Sequence, residues 1–356
     1  MPRVWEVPVH DSTRVRDARV AAEAAAARAG LDEERAVGCA LVATELATNL
    51  LKHAGGGLIL LDVVSRPAPE RPDGAAPMVQ IVAIDHGPGM RDVAGALRDG
   101  FSTTSSLGAG LGTCRRVADD FDLHSTVGRG TIALARLGAR PGRRGGPASS
   151  SAPAVRAGGV NVPFAGAEFS GDAWAWVQKD GLTTLMLADG LGHGLAAARA
   201  SSAAVEQLYR APELPPAHLL RRLEGALRDT RGAAVAVAQL DVAAGRLLFA
   251  GIGNIGARLR TGATWQPLLS RPGIVGAHRA ARLPQHEAAW GEDCLLVLHS
   301  DGLPSRWSPG PAAHSTSLDP AVIAAVIVRD ASSPARPVRD DTSVAVLSPS
   351  PPDRLP

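Results

Sequence analysis

Glu45 and Asn49 stand four residues apart in a helical pattern, which puts a carboxylate and an amide on one helix face. Such a pair can serve a magnesium–nucleotide site. The amide oxygen is a hard ligand suited to Mg2+, and the carboxylate can act as general base toward an attacking hydroxyl. Alone, the pair is more ordinary as two polar residues on a solvated face. Asp85 ends an apolar strand and opens a turn through Gly87 and Gly89. A carboxylate there can accept a hydrogen bond from an amino group such as that of adenine, and glycine lets backbone approach a flat ligand. Gly108, Gly110 and Gly112 precede a helix, so backbone N–H groups at its start can face phosphate. Singly, each of these is a weak signal, a strand-exit turn or a loop. Their order and spacing together are far more specific.

A second constellation lies in the C-terminal half. Asp172, Asp189, Asp301 and Asp340 fall at strand ends or turns, with Asp341 beside the last. Asp189-Gly190 and Asp301-Gly302 each follow an apolar run, so each carboxylate stands at a strand's mouth. The glycine leaves room for a metal and lets its own carbonyl coordinate. Carboxylates converging on one mouth repel unless cations lie between them. Oxygen ligands favour Mg2+ or Mn2+ over zinc, and two such ions can generate a hydroxide nucleophile and neutralise a phosphoryl group. A lone Asp-Gly is usually a tight turn; four in this arrangement are hard to explain that way. His193 is either a general acid or, as we favour, part of the glycine-rich turn before a helix from Leu195.

These residues need elements to hold them. At 356 residues the chain has room for two cores, and 45% hydrophobic with 20% charged residues is a globular composition. A net charge of +2 argues against nucleic acid as a main partner. The three cysteines, far apart and without a CxxC pair, suit a reducing compartment. No run of about 18 apolar residues and no secretory pattern in MPRVWEVPVHD is present, so no membrane span and a cytoplasmic location are expected. Leu137–Arg156, dense in Pro, Gly and Ser, reads as a flexible linker. The expected division is residues 1–137, a linker over 138–156, and residues 157–348. In the first part, strands are expected over Arg3–Val9, Leu58–Val64, Met78–Ile84, Phe121–Ser125 and Thr131–Arg136. Helices are expected over Ser12–Ala29, Asp32–His53, near Arg91–Arg98 and near Leu111–Asp120. In the second, strands are expected over Ala173–Gln178, Thr183–Ala188, Ala233–Asp241, Arg246–Gly251, Ala257–Leu259, Cys294–His299 and Thr342–Leu347. Helices there are expected over Leu195–Tyr209, Ala217–Thr230 and Pro320–Arg329.

The N-terminal motifs, with Asp99–Gly112, Arg115–Phe121 and Gly128-Arg-Gly-Thr131, resemble the GHKL-type ATP-binding domain over roughly Val4–Leu137. They are most similar to the small serine kinases of bacterial sigma-factor control, RsbT among them. The resemblance implies ATP and Mg2+ as cofactors, Glu45 as base for the substrate hydroxyl and Asn49 as Mg2+ ligand. It further implies Asp85 and Thr131 on the adenine side and Gly108, Gly110 and Gly112 as the phosphate loop. The C-terminal motifs, including Asp189-Gly-Leu-Gly-His-Gly194, resemble the metal-dependent Ser/Thr phosphatases of the PPM class, in their SpoIIE and RsbX-like branch. That resemblance implies two Mn2+ or Mg2+ ions held by Asp172, Asp189, the Gly190 carbonyl, Asp301 and Asp340. The doublet leaves Asp341 as an alternative by one register step. The reaction implied is hydrolysis of phosphoserine or phosphothreonine without a phospho-enzyme. The fold class implied is α/β in two domains, a GHKL α/β sandwich followed by a PPM-type αββα sandwich. Trp307–Ser317 is a Pro/Ser/His-rich departure from the pattern. The first resemblance implies STAS-type regulatory proteins as partners, and the second half is expected to act on the same or a related protein. The first reading is a bifunctional switch enzyme. A phosphatase whose first half only binds ATP, and a module that sequesters a regulator such as a sigma factor, are the alternatives.

Overall fold

The computed structural model of the chain describes residues 3–67, 75–97, 110–140, 155–277, 283–304, 307–311, 315–332 and 338–351. The chain forms two compact units. One comprises Val4–Val64 and Ala76–Ala148; the other comprises Met1–Arg3, Ser65–Ala75 and Ser149–Pro356.

The first unit contains strand β1 (Trp5–Val9), helices α1 (Thr13–Arg28) and α2 (Glu33–Asn49), and strands β2 (Gly57–Pro67) and β3 (Ala75–Ile84). It continues with α3 (Val93–Ala96), α4 (Gly110–Val117), β4 (Asp120–Thr126) and β5 (Gly130–Gly138). The strands form one sheet in the order β1-β2-β3-β5-β4. Alternate residues of β2, β3 and β5 (Ile59, Leu61, Val79, Ile81, Ala133, Ala135) pack with Val42, Leu46 and Ala47 of α2 in one core. Alanines carry α1: Ala18, Ala22, Ala25 and Ala26 are buried, and their small side chains let α1 lie close on α2. Asp32 caps α2 by accepting the Arg35 N–H at 2.8 Å. The helix does not run unbroken to His53 as expected. After Asn49 it widens into a single π turn, Leu50–Ala54, which Gly55 closes at φ 72°. The helix expected near Arg91–Arg98 is confined to Val93–Ala96.

Arg35 ties this unit together from inside. Its side chain is buried, and its Nε donates to Gly138 O at 2.7 Å while its guanidinium pairs with Asp119. The same Asp119 oxygen accepts the Gly138 N–H at 2.7 Å. Thus α2, the end of β5 and the loop after α4 share one polar knot.

In the second unit two five-stranded sheets face each other, ordered β13-β10-β9-β8-β7 and β12-β11-β14-β15-β6. The first holds β7 (Asp172–Lys179), β8 (Leu182–Gly190), β9 (Ala233–Asp241), β10 (Arg246–Ile252) and β13 (His286–Ala289). The second holds β6 (Val155–Val162), β11 (Gly256–Thr261), β12 (Thr264–Leu268), β14 (Leu295–His299) and β15 (Thr342–Pro349). Leu185, Leu187, Phe249, Leu259, Leu296, Leu298 and Leu347 fill the space between the sheets. The alternate residues Met186, Val235 and Val237 turn outward onto α5 (Leu195–Arg210) and α6 (Pro216–Ala226). Helix α7 (Pro320–Ala331) packs on β6 and β15. The result is an αββα sandwich, and with the first unit it makes the two-domain α/β fold.

The sequence pattern did not disclose β6, β12 or β13. Both ends of the expected linker are strand, because β5 runs through Gly138 and β6 starts at Val155; residues 141–154 lie outside the described set. The glycine pair in β6 concealed it. A Cβ on Gly159 would sit 2.6 Å from Val344 O and 2.9 Å from the Trp174 ring, so this strand needs glycine for close packing.

Replacing Arg35 with alanine would strand the Asp119 carboxylate and the Gly138 carbonyl. We expect a loss of about 3 kcal/mol, read as a lower urea midpoint; an unchanged midpoint would show that the knot contributes nothing.

Candidate functional site

Two clusters assemble from the motif residues, one in each unit. In the first, α2 carries Glu45 and Asn49 half-buried on one face. A Cβ built on Gly110 would lie 3.4 Å from both Asn49 side-chain heteroatoms and 3.6 Å from Glu45 Oε2. The backbone at the start of α4 therefore passes directly over this pair. Cys114, one turn further, feels the Glu45 charge; burial first, then Glu45, pushes its thiol up to about 12. The Asn49 Nδ2 is buried without a partner. An orphan donor beside a carboxylate and a helix start suits an oxygen-rich ligand. Gly112 is buried within α4; Gly108 lies outside the described residues.

Asp85, at the exit of β3, stands at the other side of the turn. Its Oδ1 accepts N–H bonds from Gly87 at 2.8 Å and Thr131 at 3.1 Å, and its own N–H donates to Thr131 O at 3.0 Å. The Thr131 hydroxyl pairs with Ser125 Oγ at 2.9 Å. Gly87 is needed because a Cβ would fall 2.7 Å from that of Ala54, the last residue of the π turn. Through this contact the α2 extension meets the Asp85 turn. Gly89, at φ 71°, lets the turn pass Thr126, whose carbonyl a Cβ would meet at 2.3 Å. Sequence reasoning missed Gly130, which lies at φ 97° with its would-be Cβ 2.1 Å from Asp85 O.

In the second unit the carboxylates arrive from both sheets at one end of the sandwich. Asp172 opens β7 and Asp189 is the penultimate residue of β8; they are opposite one another in the antiparallel register. Asp301 follows β14, and Asp340 and Asp341 immediately precede β15. Asp172 is held well above the usual carboxylate range, by burial first and then by Asp189 and Asp341. Burial, then Asp301, Asp340 and Asp341, pushes Asp189 up to about 7. Partial desolvation and Asp340 raise Asp301. All five groups thus share one field of like charge. Among the described residues no three of them close into a finished metal shell. The donor chemistry nonetheless fits hard divalent cations: the acidic side chains offer oxygen ligands, and the buried Asp172 Oδ2 has no hydrogen-bond partner among the described residues. A cation there would remove the repulsion that the protein itself leaves uncompensated.

The structure separates the doublet. Asp341 is buried; its Oδ1 accepts the Phe164 N–H and its Oδ2 the Gly171 N–H, each at 2.8 Å. Asp340 is exposed, and its Oδ1 accepts the Asp341 N–H at 2.8 Å. Gly190, whose carbonyl the sequence comparison implied as a ligand, is the last residue of β8 and donates to Gly171 O at 3.0 Å. His193 is exposed in the turn before α5. Asn254 was missed: its Nδ2 donates to Asp301 Oδ2 at 2.6 Å. Its signal was an asparagine flanked by glycines in Gly251-Ile-Gly-Asn254.

Residues 9–136 match the family described as a histidine kinase-like ATPase domain, and residues 179–349 match Stage II sporulation protein E (SpoIIE). The chain joins an RsbT-like ATPase domain to a SpoIIE domain. The serine/threonine-protein kinase RsbT of Bacillus subtilis (strain 168) is 40% identical over 88 residues, which are 25% of this chain and 61% of RsbT. The chain thus spans about three fifths of that relative's length. A solved structure described as "The bacterial stressosome: a modular system that has been adapted to control secondary messenger signaling" aligns with a TM-score of 0.50 and 25% identity. It covers 54% of this chain and 98% of its own. RsbX in complex with magnesium aligns with a TM-score of 0.48 and 17% identity, over 56% of this chain and 98% of its own. No helix among the described residues is long and apolar enough to cross a membrane.

In the ATPase domain, Gly130→Ala forces a Cβ against Asp85 at a backbone conformation that L side chains resist. Strain of this kind costs of order 1–3 kcal/mol, so titration with a fluorescent ATP analogue should show affinity reduced about ten-fold. Unchanged affinity would mean that the Asp85 turn is not part of the nucleotide site.

Proposed function

We propose that the chain is a phospho-switch enzyme. Its ATPase domain transfers phosphate to serine or threonine of a STAS-type regulatory protein, and its SpoIIE domain hydrolyses phosphoserine or phosphothreonine on such a protein. The observation that carries this reading is that one chain keeps both donor sets together: Glu45, Asn49 and the Gly110 backbone in one unit, and the carboxylates of two sheets in the other.

In the ATPase domain, Asn49 offers an oxygen to the Mg2+ of the nucleotide. The start of α4 supplies backbone N–H groups for phosphate, and Asp85, fixed by Gly87 and Thr131, receives the adenine amino group. Glu45 takes the proton from the incoming hydroxyl. In the SpoIIE domain, Asp172, Asp189, Asp301 and Asp340, with the Gly190 carbonyl, hold Mn2+ or Mg2+; bound there, the ions supply charge for the phosphoryl group and activation of water. Asp341 serves differently. It fastens Phe164 and Gly171 of the first sheet's approach to the start of β15, so that carboxylates from two sheets keep one spacing.

The relative named as a serine/threonine-protein kinase supports the first activity, and the carboxylate field supports the second. STAS-type proteins are the partners in this reading, with a downstream sigma factor as the regulated target, and the setting is the cytoplasm.

Asp189→Asn should reduce Mn2+-dependent phosphate release from a phosphoserine-bearing STAS protein to background. Release that persists in this variant overturns the SpoIIE-domain assignment. In the same background, where added phosphate is retained, Glu45→Gln should cut transfer from labelled ATP about 100- to 10,000-fold while nucleotide affinity stays unchanged. Equal transfer with and without the carboxylate would remove Glu45 from the mechanism; no transfer in either would leave an ATP-binding regulatory domain.

A further inference from the structure

Trp307 opens the insertion that departs from the family pattern, yet it is buried and packs on His299, two residues before Asp301 in the SpoIIE domain. Its indole N–H donates to His299 Nε2 at 3.1 Å, and the two rings meet edge to face at 89° with centroids 5.1 Å apart. The Arg258 guanidinium lies over the indole at 4.6 Å from its centroid. The turn that brings the indole back is closed by Trp307 N–H to Pro304 O at 2.9 Å.

An indole nitrogen can only donate. His299 Nε2 must therefore accept, which leaves the ring proton on Nδ1. That nitrogen is 2.9 Å from Ser300 O, so it donates to the carbonyl of the next residue. Ser300 is held at its other polar atoms too. Its N–H donates to Ser343 O at 3.0 Å, and its Oγ accepts the Ser343 N–H at 2.9 Å. The next residue along the chain is Asp301. The ring has little freedom to move away, since it fills the place that a side chain at 256 would need: a Cβ on Gly256 would fall 2.2 Å from His299 Nε2.

We propose that Trp307 is a positioning residue for the metal centre: through His299 it fixes the Ser300 backbone and so the direction in which Asp301 leaves β14. Trp307 is then a strut behind the acidic site. This inference rests on the reading of the SpoIIE domain as a divalent-metal enzyme. Groups that orient metal ligands from behind commonly control metal affinity about ten- to 100-fold, without touching substrate.

The test is calorimetric titration of the full chain with Mn2+ alone, with Asp189→Asn as the baseline for binding elsewhere. Trp307→Phe keeps the apolar ring and removes the donor; we expect Mn2+ affinity reduced about ten-fold. Arg258→Met strips the cation from the indole face and leaves His299 in place; about three-fold weaker binding is expected. His299→Leu should match Trp307→Phe, and His299→Gln, which can still accept from the indole, should recover most of the loss. In turnover with a phosphoprotein, the metal requirement should rise and the substrate KM should not. The proposal is overturned by Trp307→Phe binding Mn2+ like the parent chain, by His299→Gln and His299→Leu behaving alike, or by a change in substrate KM alone. A parent chain that binds Mn2+ but releases no phosphate would sink the phosphatase reading, and the affinity series would still decide the strut. A parent chain without Mn2+ binding would sink both.

Discussion

Like charge held in one place governs the architecture of the second unit. Asp172 and Asp189 come from one sheet, Asp301 and Asp340 from the ends of strands in the other; Asp189 raises the affinity of Asp172 for protons, Asp301 and Asp340 raise that of Asp189, and Asp340 raises that of Asp301. A folded chain tolerates such repulsion only where something else fixes the backbone. Here Asp341 does so, with one carboxylate oxygen on Phe164 N–H and the other on Gly171 N–H. Charge-assisted bonds to two backbone amides are strong, and these two cross from the start of β15 to the approach of β7. Around them the serine network of Ser300 and Ser343 and the amide of Asn161 on Asp172 O at 2.9 Å complete the frame.

The first unit solves a related problem by different means. There the ligand-facing groups are few, and glycine supplies the geometry. Gly87 admits Ala54, Gly130 admits the Asp85 backbone, and Gly110 brings α4 over Glu45 and Asn49. The π turn after Asn49 matters for the same reason. It shifts the end of α2 so that Ala54 reaches the Asp85 turn, coupling the two halves of the cleft through one van der Waals contact. Arg35, far along the same helix, anchors α2 to β5 and to Asp119, which sets the helix against the sheet whose β3 carries Asp85 at its exit.

One unit thus gathers groups for a nucleotide and the other gathers groups for divalent cations. In the function proposed above, opposing chemistries on one chain would give a switch whose state depends on their relative rates. Each site is built on strand ends and helix starts, where backbone amides and carboxylates can be aimed with little conformational freedom.

Residue type and spacing by themselves pointed to the candidate chemistry and placed most of the elements. The carboxylate–amide pair on α2, the Asp-Gly strand exits and the glycine run leading into α4, which begins by Gly110, are local patterns, and local patterns are what a sequence displays. The apolar alternation of β8, β9 and β14 likewise placed Asp189 and Asp301 at strand mouths. Tertiary structure alone distinguished the two acidic residues of the doublet: Asp341 is buried on the amides of Phe164 and Gly171, 177 and 170 residues away in the chain, and Asp340 is exposed. It alone revealed β6, where Trp174 and Val344 leave no room for a side chain at Gly159. It also turned Trp307 from a loop residue into a packed donor to His299. In each case the deciding contact joins segments distant in sequence, and no periodicity or spacing records a bond between them.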